Sequence, residues 1–190
     1  MSSRAPRLAY VLVLVTWAAA IALASGSDLG RRDEQPAQPR LTAATNGAGN
    51  GNGPIAISDS REGLAILTAS GMKPSSSVTG TVTIGNPGSN DVDVSLALSR
   101  LVDSGSPTGK LSAVLNLLLQ DTTSASPTTV YSGKLGAMPA LALGTYDKRT
   151  SRTYRFTVSY PSSAGSVYQG TSTTVDYLWT ATKSAGGGKK

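Results

Sequence analysis

The feature that most constrains the fold is a period-two alternation of apolar and polar residues. It recurs in four long segments, at residues 77–84, 91–99, 153–160 and 173–181. In the last segment Val175, Tyr177 and Trp179 share one phase, and the other phase is mostly polar. Successive side chains of a β-strand point to opposite faces of its sheet. Each segment therefore predicts a strand with one buried face and one more polar face.

Shorter apolar runs complete the pattern. They lie at residues 55–58, 64–68, 128–131 and 139–143, and clusters of Gly, Pro, Ser and Asn separate them from the long segments. Several short strands with turn signals between them are typical of antiparallel sheets packed face to face. The sequence therefore predicts an all-β antiparallel sandwich.

One segment, residues 111–119, fits two patterns. Its apolar residues Leu111, Val114, Leu115 and Leu118 follow helical spacing, whereas Leu115, Leu117 and Leu119 follow the spacing of a strand. Pro107 and Gly109 precede it and favour a short helix that begins there. We predict one short helical turn over 110–114, followed by a strand over 115–120.

The N-terminus has the pattern of an export signal. Arg4 and Arg7 precede an uncharged apolar stretch, residues 8–24, which ends in the small-x-small sequence Ala22-Leu23-Ala24. This predicts a signal peptide at residues 1–24 and a secreted protein at the cell surface or outside the cell. The alternative is an uncleaved membrane anchor, although the stretch is slightly shorter than the ~20 residues of a spanning helix. Contact with a membrane is expected only through this segment.

The remaining chain divides by composition into a linker, a domain and a tail. Residues 25–54 are rich in Gly, Asn and Pro and are expected to be disordered. The folded domain is predicted at 55–183, and 184–190 form a flexible tail of Gly and Lys. The chain contains no cysteine, so disulfides cannot stabilise the exported domain and a packed core must do so.

The sequence contains neither histidine nor cysteine, which excludes most catalytic chemistry of secreted enzymes. There is no Ser-His-Asp base, no HExxH zinc motif and no thiol nucleophile. Ser70 and Lys73 fit the S-x-x-K pattern of penicillin-binding enzymes, but the companion S-D-N and K-T-G elements are missing. We predict a turn between strands there, and a protein with no enzymatic activity and no cofactor.

Two further sets of residues are candidate ligand sites. Asp91 and Asp93 share one strand face and are candidate calcium ligands, but no D-x-D-x-D-G loop accompanies them. The alternative is a charged face that discourages strand addition, and no metal is predicted. Tyr131 and Tyr168 lie near loops and are candidates for stacking on a sugar.

The net charge of +6 does not indicate nucleic acid as a partner. No tight basic cluster with interleaved aromatic residues is present. Lys148, Arg149 and Arg152 form a small basic group around a turn. A solvated loop is the favoured interpretation, and weak contact with an anionic polymer of the cell wall is the alternative.

Six short motifs occur in a recognisable order. They are LTASGMKP at 67–74, SVTGTVTIGN at 77–86 with Gly88 after it, VYSGKL at 130–135, YRFTVSYP at 154–161, YQG at 168–170 and TVDYLWTA at 174–181. In this order and spacing they resemble the TasA/camelysin family of secreted bacterial proteins. The likeness covers roughly residues 55–182.

The resemblance implies a jelly-roll-like sandwich and two different functions. TasA-type members are matrix proteins that assemble into biofilm fibres, in which an N-terminal segment is donated as a strand to the next subunit. Camelysin-type members are described as cell-surface metalloendopeptidases, but this sequence has no zinc motif to receive their catalytic residues.

Ile55, Ala56 and Ile57 are the candidate donor strand, because they alternate beside the long N-terminal arm. We therefore expect a secreted structural protein whose partners are further copies of itself or components of the cell surface or matrix. The alternatives are a camelysin-like peptidase and a carbohydrate-binding or surface-binding module.

Overall fold

The computed structural model describes residues 5–14, 55–70, 72–105, 109–164, 168 and 170–184, the first of these ranges as backbone only. The predictions for the linker at 25–54 and for residues 185–190 lie outside the described residues.

The described residues form ten strands and one short helix. The strands are β1 (Ala5–Leu14), β2 (Ser58–Asp59), β3 (Ala65–Ala69), β4 (Ser77–Asn86), β5 (Val92–Ser104), β6 (Asn116–Asp121), β7 (Thr128–Lys134), β8 (Leu141–Tyr146), β9 (Thr150–Ser159) and β10 (Ser172–Lys183). Helix α1 spans Leu111–Val114, and a 3₁₀ turn spans Leu135–Ala137. The four long alternating segments are confirmed as β4, β5, β9 and β10.

The strands form two five-stranded sheets. The first sheet has the order β3-β1-β10-β5-β8, and the second sheet has the order β2-β4-β9-β6-β7. Every pair of neighbours is antiparallel except β1 and β3, which are parallel. The all-β, largely antiparallel sandwich that the alternation predicts is therefore confirmed.

Aromatic side chains from both sheets join the layers. The ring centroid of Trp179 on β10 lies 5.6 Å from that of Tyr154 and 6.5 Å from that of Phe156, both on β9. The ring of Phe156 lies 5.1 Å from the ring of Tyr177. All four side chains are at most 1% exposed. Tilted and edge-on aromatic pairs of this kind stabilise the packing beyond the burial of their area, so this cluster helps to hold the two sheets together.

The segment with two possible patterns adopts both, in the predicted order. Helix α1 ends at Val114, and β6 begins at Asn116. Leu115 stands between them in an extended conformation and is fully buried. The main-chain N–H and the hydroxyl of Ser112 both donate to the carboxylate of Asp103, at 2.8 and 2.7 Å, which fixes the helical turn against the end of β5.

Where β3 crosses β4, the two sheets approach each other closely. A Cβ atom added to Gly80 on β4 would lie 2.1 Å from the carbonyl oxygen of Ile66 on β3. No side chain can occupy that space without moving main chain, so Gly80 is needed for the crossing. The crossing packs β3 against the second sheet, although β3 is hydrogen-bonded to β1 in the first.

Candidate functional site: a strand slot in the first sheet

Strand β1 occupies a gap between β3 and β10, which we call the strand slot. It pairs antiparallel with β10 over ten positions, from Ala5 opposite Ala181 to Leu14 opposite Ser172. On its other side it pairs parallel with β3, at Tyr10 with Ala65, Leu12 with Thr68 and Val13 with Ala69. The segment that fills the slot therefore comes from the predicted signal peptide, far from the domain in sequence.

An empty slot would leave β3 without a main-chain partner and one edge of β10 unpaired. Within the described part of the chain, β3 pairs with β1 alone, and β10 has only β5 on its other side. Unpaired N–H and C=O groups of a strand form a template for another extended chain. The slot is therefore a site that selects a ligand by its conformation, because any strand of suitable length can bond to both edges.

The inward face of β10, the strand beside the slot, is buried in the core. Its residues are Thr173, Val175, Tyr177, Trp179 and Ala181, each at most 1% exposed. Three buried polar atoms on this face have no hydrogen-bond partner among the described residues: Thr173 Oγ1, Tyr177 OH and Trp179 Nε1. Burial raises the pKa of Tyr177, so its hydroxyl stays protonated. A buried polar group that lacks a hydrogen bond costs about 1–3 kcal/mol.

Asp176 lies on the opposite face of β10 and is also buried. It is 5% exposed, and its Oδ1 has no hydrogen-bond partner within the described ranges. In the first sheet, Asp176 is paired with Tyr10 of β1 on one side and with Arg100 of β5 on the other. Burial raises the pKa of this carboxyl, and the charge of Arg100 opposes the shift in part. The alternation placed Asp176 on a polar face, and only its three-dimensional surroundings reveal its burial.

The candidate donor segment packs inside its own domain. Ile57 is 1% exposed and belongs to the core, Ala56 is 7% exposed, and Ile55 packs partly buried against the same core. Only the two residues that follow, Ser58 and Asp59, pair with β4 as β2. Donation of residues 55–57 stays a prediction, and it would require Ile57 to leave this core.

The two candidate calcium ligands each accept a hydrogen bond from the neighbouring β8 region. Asp91 Oδ1 accepts one from the main-chain N–H of Lys148 at 2.9 Å, and Asp93 Oδ1 accepts one from the hydroxyl of Thr145 at 2.6 Å. These bonds tie the start of β5 to β8 and the turn after it. In the part of the chain that the structure describes, no group of three or more acidic, histidine or cysteine side chains is placed to hold a metal ion.

The two candidate sugar-stacking tyrosines are partly buried and pack against the core. The hydroxyl of Tyr131 donates to the carbonyl of Lys134 at 2.8 Å, and its ring lies over Gly133. The ring of Tyr168 lies against Gly109, where an added Cβ atom would be 2.8 Å from Cε1. Each ring thus already covers main chain, which reduces the area that a sugar could contact.

The basic group near β8 is not purely a solvated loop. Arg152 donates to the carbonyl oxygens of Leu143 at 2.8 Å and Thr145 at 2.9 Å. Its guanidinium also lies 4.6 Å from the ring centroid of Tyr146. The side chain therefore fastens β9 in the second sheet to β8 at the far edge of the first sheet.

Comparisons with family models, with curated proteins and with solved structures give no match for this chain. Within residues 5–14 and the described parts of 55–184, no helix has the length and apolar character needed to cross a membrane.

Proposed function

We propose that this chain is a secreted structural protein of the bacterial cell surface or extracellular matrix, of the TasA/camelysin type. Its sandwich would be jelly-roll-like, and its subunits would form fibres by strand donation. The observation that supports this proposal is the strand slot, whose present occupant belongs to the segment that export is expected to remove.

Cleavage after Ala24 would turn the slot into an acceptor site. The cut separates residues 5–14 from the domain, and β3 then faces β10 with no strand between them. A second copy of the chain can supply the missing strand. A contact in which one subunit donates and the next accepts is heterologous, and such contacts build open filaments unless they close into a ring.

The arm before the domain is long enough for this role. Residues 25–54 are thirty residues in length, and a fully extended chain spans about 3.3 Å per residue, so the arm can reach roughly 100 Å. A domain of this size has a radius of gyration of about 14 Å. An arm anchored at Ile55 can therefore reach the slot of a neighbour, and donation of residues 55–57 themselves would also require Ile57 to leave its own core.

Electron microscopy of three chains tests the proposal. The chain that begins at Ser25 should form fibres as its concentration rises, over a range of pH. The chain that begins at Ile55 lacks the arm and should stay monomeric, with an unchanged circular dichroism spectrum. A third chain with the arm residues in scrambled order keeps length and composition and controls for a spacer effect. A Ser25 chain that stays monomeric at every concentration and pH would contradict the proposal.

The same preparation distinguishes the two alternative functions. A camelysin-like peptidase would digest casein and lose that activity in a chelator, and a surface-binding module would be retained saturably on cell-wall polysaccharide. Chelator-sensitive digestion by the pure Ser25 chain, without fibres, would replace a structural role with an enzymatic one.

A further inference from the structure

We infer that residues 5–14 act as an intramolecular cap of the strand slot, so that a chain carrying them cannot accept a strand from a second copy. This inference rests on the proposed function and adds a step that regulates assembly. The cap is the β1 segment itself, and removing it is what makes a subunit competent to assemble.

The ladders show why the cap excludes a competing strand. Its ten pairs with β10 run from Ser172 to Ala181, which is nearly the whole of a strand that ends at Lys183. The facing edge of β3 is engaged at the same time. A donor strand therefore finds no free main-chain edge at the slot and must displace the cap first.

The tether makes this displacement unfavourable. Forty residues join Leu14 to Ile55, so the cap never leaves the neighbourhood of its slot. A tethered segment has an effective concentration in about the millimolar range when its linker can span the sites. A donor on another subunit at micromolar concentration competes poorly, by a factor of roughly a thousand. A cut after Ala24 abolishes this advantage without changing any contact in the slot.

The cap also fits its slot incompletely, as a replaceable strand should. On the β3 side only three pairs form, and their register shifts between Tyr10 and Leu12. A donor whose register matches β3 would form a longer ladder on that side.

Four chains test the inference by light scattering across a concentration series. They are the full chain, the chain that begins at Ser25, and the full chain with Leu12→Pro or with Leu12→Val. Leu12 is paired on both sides, with Thr174 and with Thr68. Proline removes a main-chain donor and disrupts a central strand, whereas valine keeps the N–H and suits a strand.

The full chain and Leu12→Val should remain monomers at concentrations at least tenfold above those at which the Ser25 chain and Leu12→Pro assemble. Equal assembly of all four would overturn the cap and leave the proposed function intact. A monomeric state of all four would instead overturn the proposed function. If the Ser25 chain does not fold, the contrast between Leu12→Pro and Leu12→Val decides the question.

A peptide gives an independent measurement. A peptide with the sequence of residues 5–14, added to the Ser25 chain, should suppress assembly and slow hydrogen exchange at the β3 and β10 amides. The same peptide with Leu12→Pro should do neither. Suppression by both peptides would point to non-specific adsorption and count against the cap.

Discussion

The two sheets of the sandwich are built in different ways. All five strands of the second sheet come from one span, between Ser58 and Ser159, and every neighbouring pair is antiparallel. The first sheet takes β3, β5 and β8 from the same span, adds β1 and β10 from outside it, and needs β1 to join β3 to β10. A sheet made within one span keeps its strands however the termini are processed. A sheet that borrows a strand from a terminus can be opened by a single cut.

The largest expected effect concerns the aromatic cluster between the sheets. The same measurement tests whether the two sheets unfold in a single transition. Trp179→Ala removes a fully buried ring that touches Tyr154 and Phe156 across the core, and it should lower the free energy of unfolding by about 4 kcal/mol. Chemical denaturation followed by fluorescence and by circular dichroism measures it. The adjacent Leu178→Ala, on the half-buried face, should cost less than half as much. Two separate transitions in the wild-type protein would show that the sheets are independent.

A smaller effect tests how β3 is held to the second sheet. Gly80→Ala places a Cβ atom against the carbonyl of Ile66 and should destabilise the protein by about 3 kcal/mol. Gly85→Ala is the matched control on the same strand, because its Cβ atom meets the rotatable hydroxyl of Ser58 at 2.6 Å. We expect that control to cost under about 1 kcal/mol. Equal costs would mean that β3 does not rest closely on β4.

The third prediction concerns the carboxyl group beside the slot. Asp176→Asn should raise stability at neutral pH by about 1 kcal/mol, because it replaces a buried charge whose Oδ1 has no hydrogen-bond partner among the described residues. The native pKa of Asp176 is raised, so the native state binds the proton more tightly than the unfolded state. Wild-type stability therefore increases as pH falls through the raised pKa, and the advantage of the Asn variant shrinks. Thermal melts between neutral and acid pH measure both trends.

Asp103→Asn should lower stability, which is the opposite of the effect expected for Asp176→Asn, although the side-chain replacement is the same. The carboxylate of Asp103 accepts two bonds from Ser112, and an amide can accept only through its single oxygen. This variant should lose about 1 kcal/mol. A loss for Asp176→Asn as well would show that the Asp176 carboxylate has a favourable partner.

The smallest expected effect concerns a pair of threonines in the second sheet. Thr79 and Thr157 face each other across β4 and β9, with their hydroxyl oxygens 3.1 Å apart on the exposed face. Thr79→Ala should cost about 0.5 kcal/mol, and Thr79→Val should cost less because it keeps the branched side chain. Denaturation midpoints resolve the difference. A cost above that of Gly80→Ala would mean that this exposed threonine pair contributes more to stability than the close contact between β3 and β4.

The sequence predicted what local patterns encode. The alternation located β4, β5, β9 and β10 because one buried face imposes period two, and Leu115 marked the change from α1 to β6. The strand slot carried no such signal. Residues 8–24 carry no charge and are rich in Val, Leu and Ala, which favours an export signal, and the partner of Ala5 is Ala181, at the other end of the chain. Pairing between residues so far apart in the chain cannot be recognised from the pattern of a short sequence segment.

The burial of Asp176 and the need for Gly80 could not be predicted from the sequence either. Asp176 stands in the polar phase of β10, and its burial follows from its position beside β1 and Arg100. Gly80 is an interruption within an apolar phase, and its necessity follows from the carbonyl of Ile66. The likeness to the TasA/camelysin family remains a prediction, which the fibre experiment tests.

The position of the slot inside a sheet has a mechanical consequence. A strand held there is bonded to β10 along ten paired positions and to β3 on its other side. Tension along the axis of that strand loads the bonds of the β10 ladder in shear, all at once, whereas a strand peeled from an end yields one bond at a time. A filament whose joints are built in this way would resist stretching far better than it resists unzipping.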